Sequence, residues 1–252
     1  SVLKYLVPLL IIRLSFRMPR RVAYHLKLDA PREFPATIAV TLIIFAVTNV
    51  WLLFSPINFL SHSTLGEAYY TVSYMKPSYQ IIYLAFELLF VSICKELLLH
   101  GEMLHVLRQF GDWYAIILTA IVSICVSHSC TTILMELTFA IVSGIAVLRS
   151  GSLLPSICCR ILYHAMLFGI FWVEVDQNHL LLDYRPLFML VVLTLGIILC
   201  LLSIRPTRKN PALLQQRRYL STKERIYTAM HLGPLCIVFF LCMILMVIEV
   251  IF

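Results

Sequence analysis

A cation, a carboxylate and an imidazole lie close together in the stretch Lys95-Glu96-Leu97-Leu98-Leu99-His100-Gly101. The flanking sequence is apolar and is typical of lipid-embedded helix, where an ionisable group costs roughly 2.5–3.5 kcal/mol on insertion. Such groups persist where they line a cavity, pair with one another or do chemistry. Glu96 and His100 are four residues apart, so on a helix they share one face and are able to hydrogen-bond or to hold a metal together.

Three further apolar segments carry polar residues. His128 ends the first, Glu136 lies in the second, and Arg160 and His164, again four apart, lie in the third. A carboxylate beside a histidine activates water for attack on a peptide bond, and donors opposite it stabilise the oxyanion. Glu/His/His is also a ligand set that zinc accepts, although the chain does not supply a full zinc ligand set at these positions.

Each of these residues also has a structural interpretation. Lys95 is able to pair with Glu96 or to extend toward the lipid head groups. Arg160 is able to neutralise Glu96 or Glu136 in an ion pair. An intramembrane histidine often makes a hydrogen bond between helices.

The composition predicts an all-α fold, a polytopic helical bundle integral to a membrane. Hydrophobic residues make up 61% of the 252 residues and charged residues 13%, and mean hydropathy is +0.91. Soluble domains are about 45–50% apolar and about 25% charged. The net charge of +7 is interpreted as an excess in cytoplasmic loops, with no nucleic-acid partner. The eight cysteines fall mostly in apolar runs, which favours buried thiols over disulfides.

Hydrophobic runs predict about seven transmembrane helices, each near the roughly 20 residues that a bilayer requires. Residues 1–16 form an N-terminal interfacial helix or partial span, and with the basic cytoplasmic segment they make up residues 1–35. Residues 36–252 are predicted to form a single membrane domain. The predicted spans are 36–54, 79–100, 113–128, 131–148, 152–173, 185–204 and 230–252.

The charge of the loops predicts the orientation of the chain. The loops 17–35 and 205–228 are basic, whereas 174–184 is acidic, which places the N-terminus in the cytoplasm and the C-terminus outside. At a rise of about 1.5 Å per residue, this topology separates Glu96 from His128 by about 15 Å along the membrane normal. The expected setting is a bacterial cytoplasmic membrane.

Three motifs resemble those of the CPBP family of intramembrane proteases, which includes CAAX-proteases, bacteriocin-processing enzymes and Abi proteins. The family's Glu-Glu-x-x-x-Arg motif aligns with residues 95–100, followed by Gly101. Its Phe-x-x-x-His motif aligns with residues 124–128, and its His-x-x-x-Asn motif with residues 160–164. Gly151-Ser152-Leu153-Leu154-Pro155-Ser156 precedes the third motif, as in the family. The resemblance covers about residues 78–175.

The resemblance implies an endopeptidase fold, but the chain departs from the motifs. Lys95 stands at the position of the family's general base, and His100 at that of the motif arginine. Arg160 replaces the third-motif histidine, and His164 its asparagine partner. Only Glu96 and His128 keep the family residue. A lysine beside a carboxylate favours its charged form and is a poor base, and arginine only donates hydrogen bonds.

Three functions follow as hypotheses. The first is a non-catalytic membrane protein that binds or regulates a membrane protein, a peptide or a lipidated partner, in contact with membrane lipids. The second is an active endopeptidase that uses Glu96, His128 and His164 on a prenylated or leader-peptide substrate. The third is a transport component with a path lined by charged residues, against which the lack of inverted repeats argues.

Overall fold

The computed structural model describes residues 3–16, 24–27, 33–54, 77–127, 133–175, 185–203 and 237. All regular structure within these residues is helical, which confirms the predicted all-α class. The described ranges contain the following helices in chain order: α1 Leu3–Phe16, α2 Glu33–Phe54, α3 from Pro77 to Phe110, α4 Asp112–Ser127, α5 Ile133–Ser150, α6 Leu154–Val175 and α7 Arg185–Ser203. The basic loop 205–228 and, apart from residue 237, the predicted span 230–252 lie outside the described residues.

Helix α3 is a run of contiguous helical pieces with two π-helical turns. Its pieces are Pro77–Ala85, Phe86–Val91, Ser92–Glu96, Leu97–Met103, Leu104–Leu107 and Arg108–Phe110. The second and fourth are π-helical and the last is a 3₁₀ turn. A π turn inserts extra chain into a helix, changes the direction of the side chains that follow and is frequent at functional sites. The second π turn begins directly after Glu96 and contains His100.

Local sequence explains where α5 ends and α6 begins. Gly151 has φ 67°, a left-handed conformation that glycine adopts without steric cost, and its N–H bonds the carbonyl of Val147. The Ser152 hydroxyl then accepts a hydrogen bond from the N–H of Leu154 and caps the new helix. Pro155 fits the first turn because no intrahelical partner is needed there for its missing N–H.

Among the described residues, no helix combines the length and the apolar character that crossing a membrane requires. The prediction of about seven transmembrane helices is corrected for this part of the chain. The apolar runs do form helices.

Two hydrophobic cores hold the helices together. The first joins α1, α3, α4 and parts of α5 and α6, and contains Ile12, Leu98 and Ile116. The second joins α2 and α7 to the remaining faces of α5 and α6, and centres on Phe45 and Tyr163. Because α5 and α6 contribute to both cores, the polar side chains on these two helices lie in the middle of the packed structure.

Gly196 of α7 sets the distance between α7 and α2. A Cβ added there would lie 3.0 Å from Ile43 Cγ1 and 3.2 Å from the backbone nitrogen of Ile43. Gly196→Ala is expected to lower the free energy of unfolding by about 1–3 kcal/mol, because backbone atoms cannot move aside. Thermal or denaturant unfolding checks this result.

Gly144→Ala is the matched control for that substitution. Its Cβ would meet only side-chain atoms of Ile116, the nearest at 3.3 Å, and a shift of a few tenths of an ångström relieves that contact. Alanine also gains up to about 1 kcal/mol of helix propensity. We expect little change at Gly144, and equal losses at both positions would contradict the close approach of α7 to α2.

His105 makes stability depend on pH. Burial, with smaller effects of Arg108 and His100, lowers the pKa of His105 to about 4. The unfolded state takes up a proton near pH 6.5, before the folded state does, so stability is full above that pH and falls between pH 6.5 and 4. Because glutamine does not take up this proton, His105→Gln is expected to lose up to about 3 kcal/mol less stability than the wild type between pH 6.5 and 4. The measurement is the free energy of unfolding of both proteins as a function of pH. Parallel curves for the two proteins would be inconsistent with a neutral, partly buried His105.

Candidate functional site

A buried cluster of charged side chains lies where α3, α5 and α6 meet. Its members are Lys95, Glu96 and His100 from α3, Glu136 from α5 and Arg160 from α6, joined by the hydroxyls of Ser123 and Ser156. Glu96, His100 and Arg160 have no solvent exposure. Charges at such depth are tolerated only when each is paired and hydrogen-bonded.

Arg160 joins the two carboxylates of the cluster. Its Nε donates to Glu96 Oε1 at 2.7 Å, and its Nη1 donates to both oxygens of Glu136 at 3.0 and 2.8 Å. The guanidinium also lies over the ring of Phe139, with Cζ 4.3 Å from the centroid. The planar, always charged guanidinium suits this bridging position because its donors have fixed directions.

Glu96 receives hydrogen bonds at both carboxylate oxygens. Arg160 donates to Oε1, while His100 Nδ1, at 2.6 Å, and the Ser156 hydroxyl contact Oε2. A carboxylate that activates water must offer an oxygen to that water. In this arrangement Glu96 serves as an anchor for three donors.

His100 faces an acceptor at each ring nitrogen. Nδ1 lies 2.6 Å from Glu96 Oε2, and Nε2 lies 3.1 Å from the carbonyl oxygen of Ala140. A carbonyl only accepts, so Nε2 carries a proton, and a second proton lies between Nδ1 and the carboxylate. The Glu96–His100 pair as a whole is therefore neutral.

Lys95 occupies the position at which the family resemblance places a general base. Its Nζ lies 3.1 Å from Glu136 Oε2, and the side chain is 4% exposed. The Ser123 hydroxyl donates to the same carboxylate oxygen. A protonated amine held by a carboxylate has no lone pair to accept a proton, so this position does not supply a base.

The structure brings together four of the six residues singled out from the sequence: Lys95, Glu96, His100 and Arg160. His164 lies one turn further along α6, where its ring meets Tyr163 edge-on at 5.3 Å. No hydrogen bond or ion pair joins His164 to the cluster among the described residues. His128 lies outside the described residues, so its predicted separation from Glu96 stays a prediction.

The sequence indicates Glu136 as a polar residue in an apolar segment, but Glu136 is not among the predicted site residues. Ser123 and Ser156 are not among them either. Glu136 belongs to no family motif, yet it is the sole acidic residue of α5. A lone carboxylate in an apolar helix needs a cationic partner. That signal was present, but the choice of Lys95 and Arg160 as its partners depends on how the helices pack.

The described residues contain no group of three or more histidine, cysteine or acidic side chains that could hold a metal ion. The carboxylates in the cluster face cations instead. Because His128 lies outside the described residues, the Glu/His/His ligand set considered for zinc is untested.

A second polar contact ties the N-terminal segment to α3. Tyr24 donates its hydroxyl hydrogen bond to the buried carboxylate of Glu102 and accepts one from Arg13 Nη1 at 3.1 Å. Burial and the bond to Glu102 raise the pKa of Tyr24 to about 12. This contact lies on the side of α3 that packs against α1, apart from the charged cluster.

A comparison with known families finds a match for the segment that contains this cluster. Residues 76–166 match the family model described as Type II CAAX prenyl endopeptidase Rce1-like. The resemblance to the CPBP family predicted from the motifs is thereby confirmed over that segment, which contains every member of the charged cluster. No curated protein and no solved structure matches the chain.

Proposed function

We propose that the protein is a non-catalytic, CAAX-protease-like protein that works at a membrane and binds a membrane protein, a peptide or a lipidated partner. The observation that supports this proposal is the burial and hydrogen bonding of Glu96. The one motif glutamate that the chain keeps is fully buried and receives hydrogen bonds at both oxygens.

The substitutions in the motifs support the same conclusion. Lys95 stands where a base is expected and is held by Glu136. Arg160 stands where a histidine is expected and bridges two carboxylates. Together they form an ion-paired network in place of a carboxylate that faces water.

The hydrophobic composition and the family match support work at a membrane. Large apolar side chains are also exposed along α7 and on the first half of α3. Examples are Ile82, Phe86, Leu190 and Leu202. Exposed large apolar side chains that recur along a helix mark contact with lipid or with another protein. The orientation predicted from loop charge stays a prediction.

Active endopeptidase chemistry is the second candidate, and the family match to residues 76–166 favours it. Glu96 would have to leave Arg160 and Ser156 to act on water, with His128 and His164 as orienting groups. Such a mechanism requires a rearrangement of the buried network before each turnover.

A cleavage and binding assay separates the two candidates. Purified protein is incubated with a fluorescent prenylated peptide, and cleavage and fluorescence anisotropy are followed together. We expect binding without cleavage, and weaker binding of the same peptide without its prenyl group. Cleavage by the wild type that is lost in Glu96→Ala and in His128→Ala would overturn the proposal.

Arg108→Gln is a suitable control for that assay. Arg108 is 48% exposed and pairs with Asp112 at the end of α3, away from the charged cluster. Cleavage that is equal in the wild type, Glu96→Ala and Arg108→Gln would indicate a contaminating protease. Absence of both binding and cleavage would contradict the proposal that this peptide class is the partner.

A further inference from the structure

Two adjacent residues, Tyr24 and His25, contact two helices of the charged cluster. The Tyr24 hydroxyl donates to Glu102 Oε1 in α3. The carbonyl oxygen of His25 accepts a hydrogen bond of 2.8 Å from the N–H of Leu153, directly before α6. The N–H groups at the start of a helix have no partner within the helix, so Leu153 gains an acceptor there. The two helices joined in this way are also those that exchange an ion pair within the charged cluster.

Glu102 depends on Tyr24 for its hydrogen bonding. The carboxylate is 1% exposed, and its Oε2 has no hydrogen-bond partner within the part of the chain that the structure describes. Arg13 lies on the far side of Tyr24, where its Nη1 donates to the tyrosine oxygen at 3.1 Å and its Cζ lies 5.2 Å from the ring centroid. A buried carboxylate that loses its donor is strongly destabilising. Loss of the Tyr24 hydroxyl would therefore force Glu102 to move.

The second π turn of α3 sets the direction of the Glu102 side chain. That turn, Leu97–Met103, contains both His100 and Glu102, and α1 packs against it. Its hydrogen-bonded ring holds one residue more than an α turn, so the side chains that follow are displaced by about 100° around the helix axis. In an uninterrupted α-helix that directs Glu96 into the charged cluster, Glu102 would be turned away from Tyr24 by that angle. The π turn is thus held from the charged cluster at one end and from Tyr24 at the other, with His100 between them.

We propose that Tyr24 and His25 form a clasp that keeps the second π turn in register and thereby holds His100 against Glu96. When the clasp is open, the π turn relaxes toward α-helical geometry, Glu102 leaves its buried position, and the contact of 2.6 Å between His100 Nδ1 and Glu96 Oε2 is lost. Tyr24 is therefore a positioning residue that acts through Glu102 on the charged cluster. The inference goes beyond the proposed function, because it holds whether or not the protein binds or cleaves a peptide.

The ring-nitrogen resonances of His100 test the clasp. Purified protein is labelled with isotope-enriched histidine, and His100→Gln assigns the His100 signals in the magnetic resonance spectrum. Tyr24→Phe removes only the hydroxyl and is expected to move the Nδ1 signal of His100, because the hydrogen bond to Glu96 changes. Gly196→Ala is the matched control, since it is expected to destabilise the contact of α7 with α2 and to leave the His100 signal in place. An unchanged signal in Tyr24→Phe, or an equal change in Gly196→Ala, would overturn the proposal.

Unfolding of variants at Tyr24 and Glu102 identifies the contact responsible. Tyr24→Phe is expected to raise the equilibrium constant for unfolding by roughly ten- to a hundredfold, because the lost bond is made to a charged group. In the Glu102→Gln background the same substitution should have a much smaller effect, because no buried charge is left without a donor. Equal effects in the two backgrounds would contradict the role of Glu102.

Hydrogen exchange of the native wild-type protein decides the matter if Tyr24→Phe fails to fold. The clasp predicts that the N–H group of Leu153 and those of residues 100–103 in the π turn become exchangeable in one opening event, with the same dependence on denaturant. Separate openings with different dependence on denaturant would refute the clasp.

Discussion

Arg160→Met is expected to lower the free energy of unfolding by about 3–5 kcal/mol, the largest loss for any single substitution in the protein. The substitution keeps most of the apolar volume and removes the cation that faces both Glu96 and Glu136. Two carboxylates would then remain buried with fewer donors. A loss of this size is comparable to a large part of the total stability of a typical domain. Urea unfolding of the purified protein measures it.

Two controls show whether the loss comes from unpaired charge. Arg108→Met removes an arginine whose own side chain is 48% exposed, and a change of less than about 1 kcal/mol is expected. Arg160→Met combined with Glu136→Gln and Lys95→Met should recover much of the stability, because Glu96 keeps its contact with His100 and the other charges of the cluster are removed together. If the triple variant is no more stable than Arg160→Met, packing rather than charge accounts for the loss.

Glu136→Gln is expected to produce the second largest effect, a loss of about 3 kcal/mol or more. Glu136 is the carboxylate that contacts Lys95 Nζ and accepts hydrogen bonds from Arg160 Nη1 at both of its oxygens. Without it, two buried cations face one another across a neutral amide. The same unfolding measurement applies, with Thr138→Val as a control on the same helix, whose hydroxyl bonds only backbone carbonyls.

A double-mutant cycle with Lys95 identifies the cause of that loss. Lys95→Met in the Glu136→Gln background removes one of the two cations that Glu136 contacts and is expected to restore stability, although Lys95→Met alone destabilises the wild type. Such a change of sign is a direct measure of coupling between neighbouring charges. Additive losses would show that Lys95 and Glu136 are not energetically coupled.

The sequence by itself determined the helical class and the residues on which the site is built. Apolar runs with few breakers predict helices, and glycine and proline at 151 and 155 mark a helix boundary that the structure contains. The order and spacing of the motifs were sufficient to indicate the family segment later matched at residues 76–166. Apolar runs, helix-boundary residues and motif spacing are local features, so they can be recognised in the sequence without knowledge of the packing.

The hydrophobic runs also predicted membrane spans. Among the described residues, no helix combines the length and the apolar character that a crossing requires.

Only the tertiary structure decided what the charges do. Lys95 and Glu96 are neighbours in the chain, and the sequence allowed them to pair with each other. In the fold, Lys95 pairs with Glu136, 41 residues away, and Glu96 pairs with Arg160, 64 residues away. Adjacent residues on a helix point in different directions, so their partners come from the helices packed on either side. For that reason a stretch with the elements of a protease motif forms an ion-paired cluster with α5 and α6.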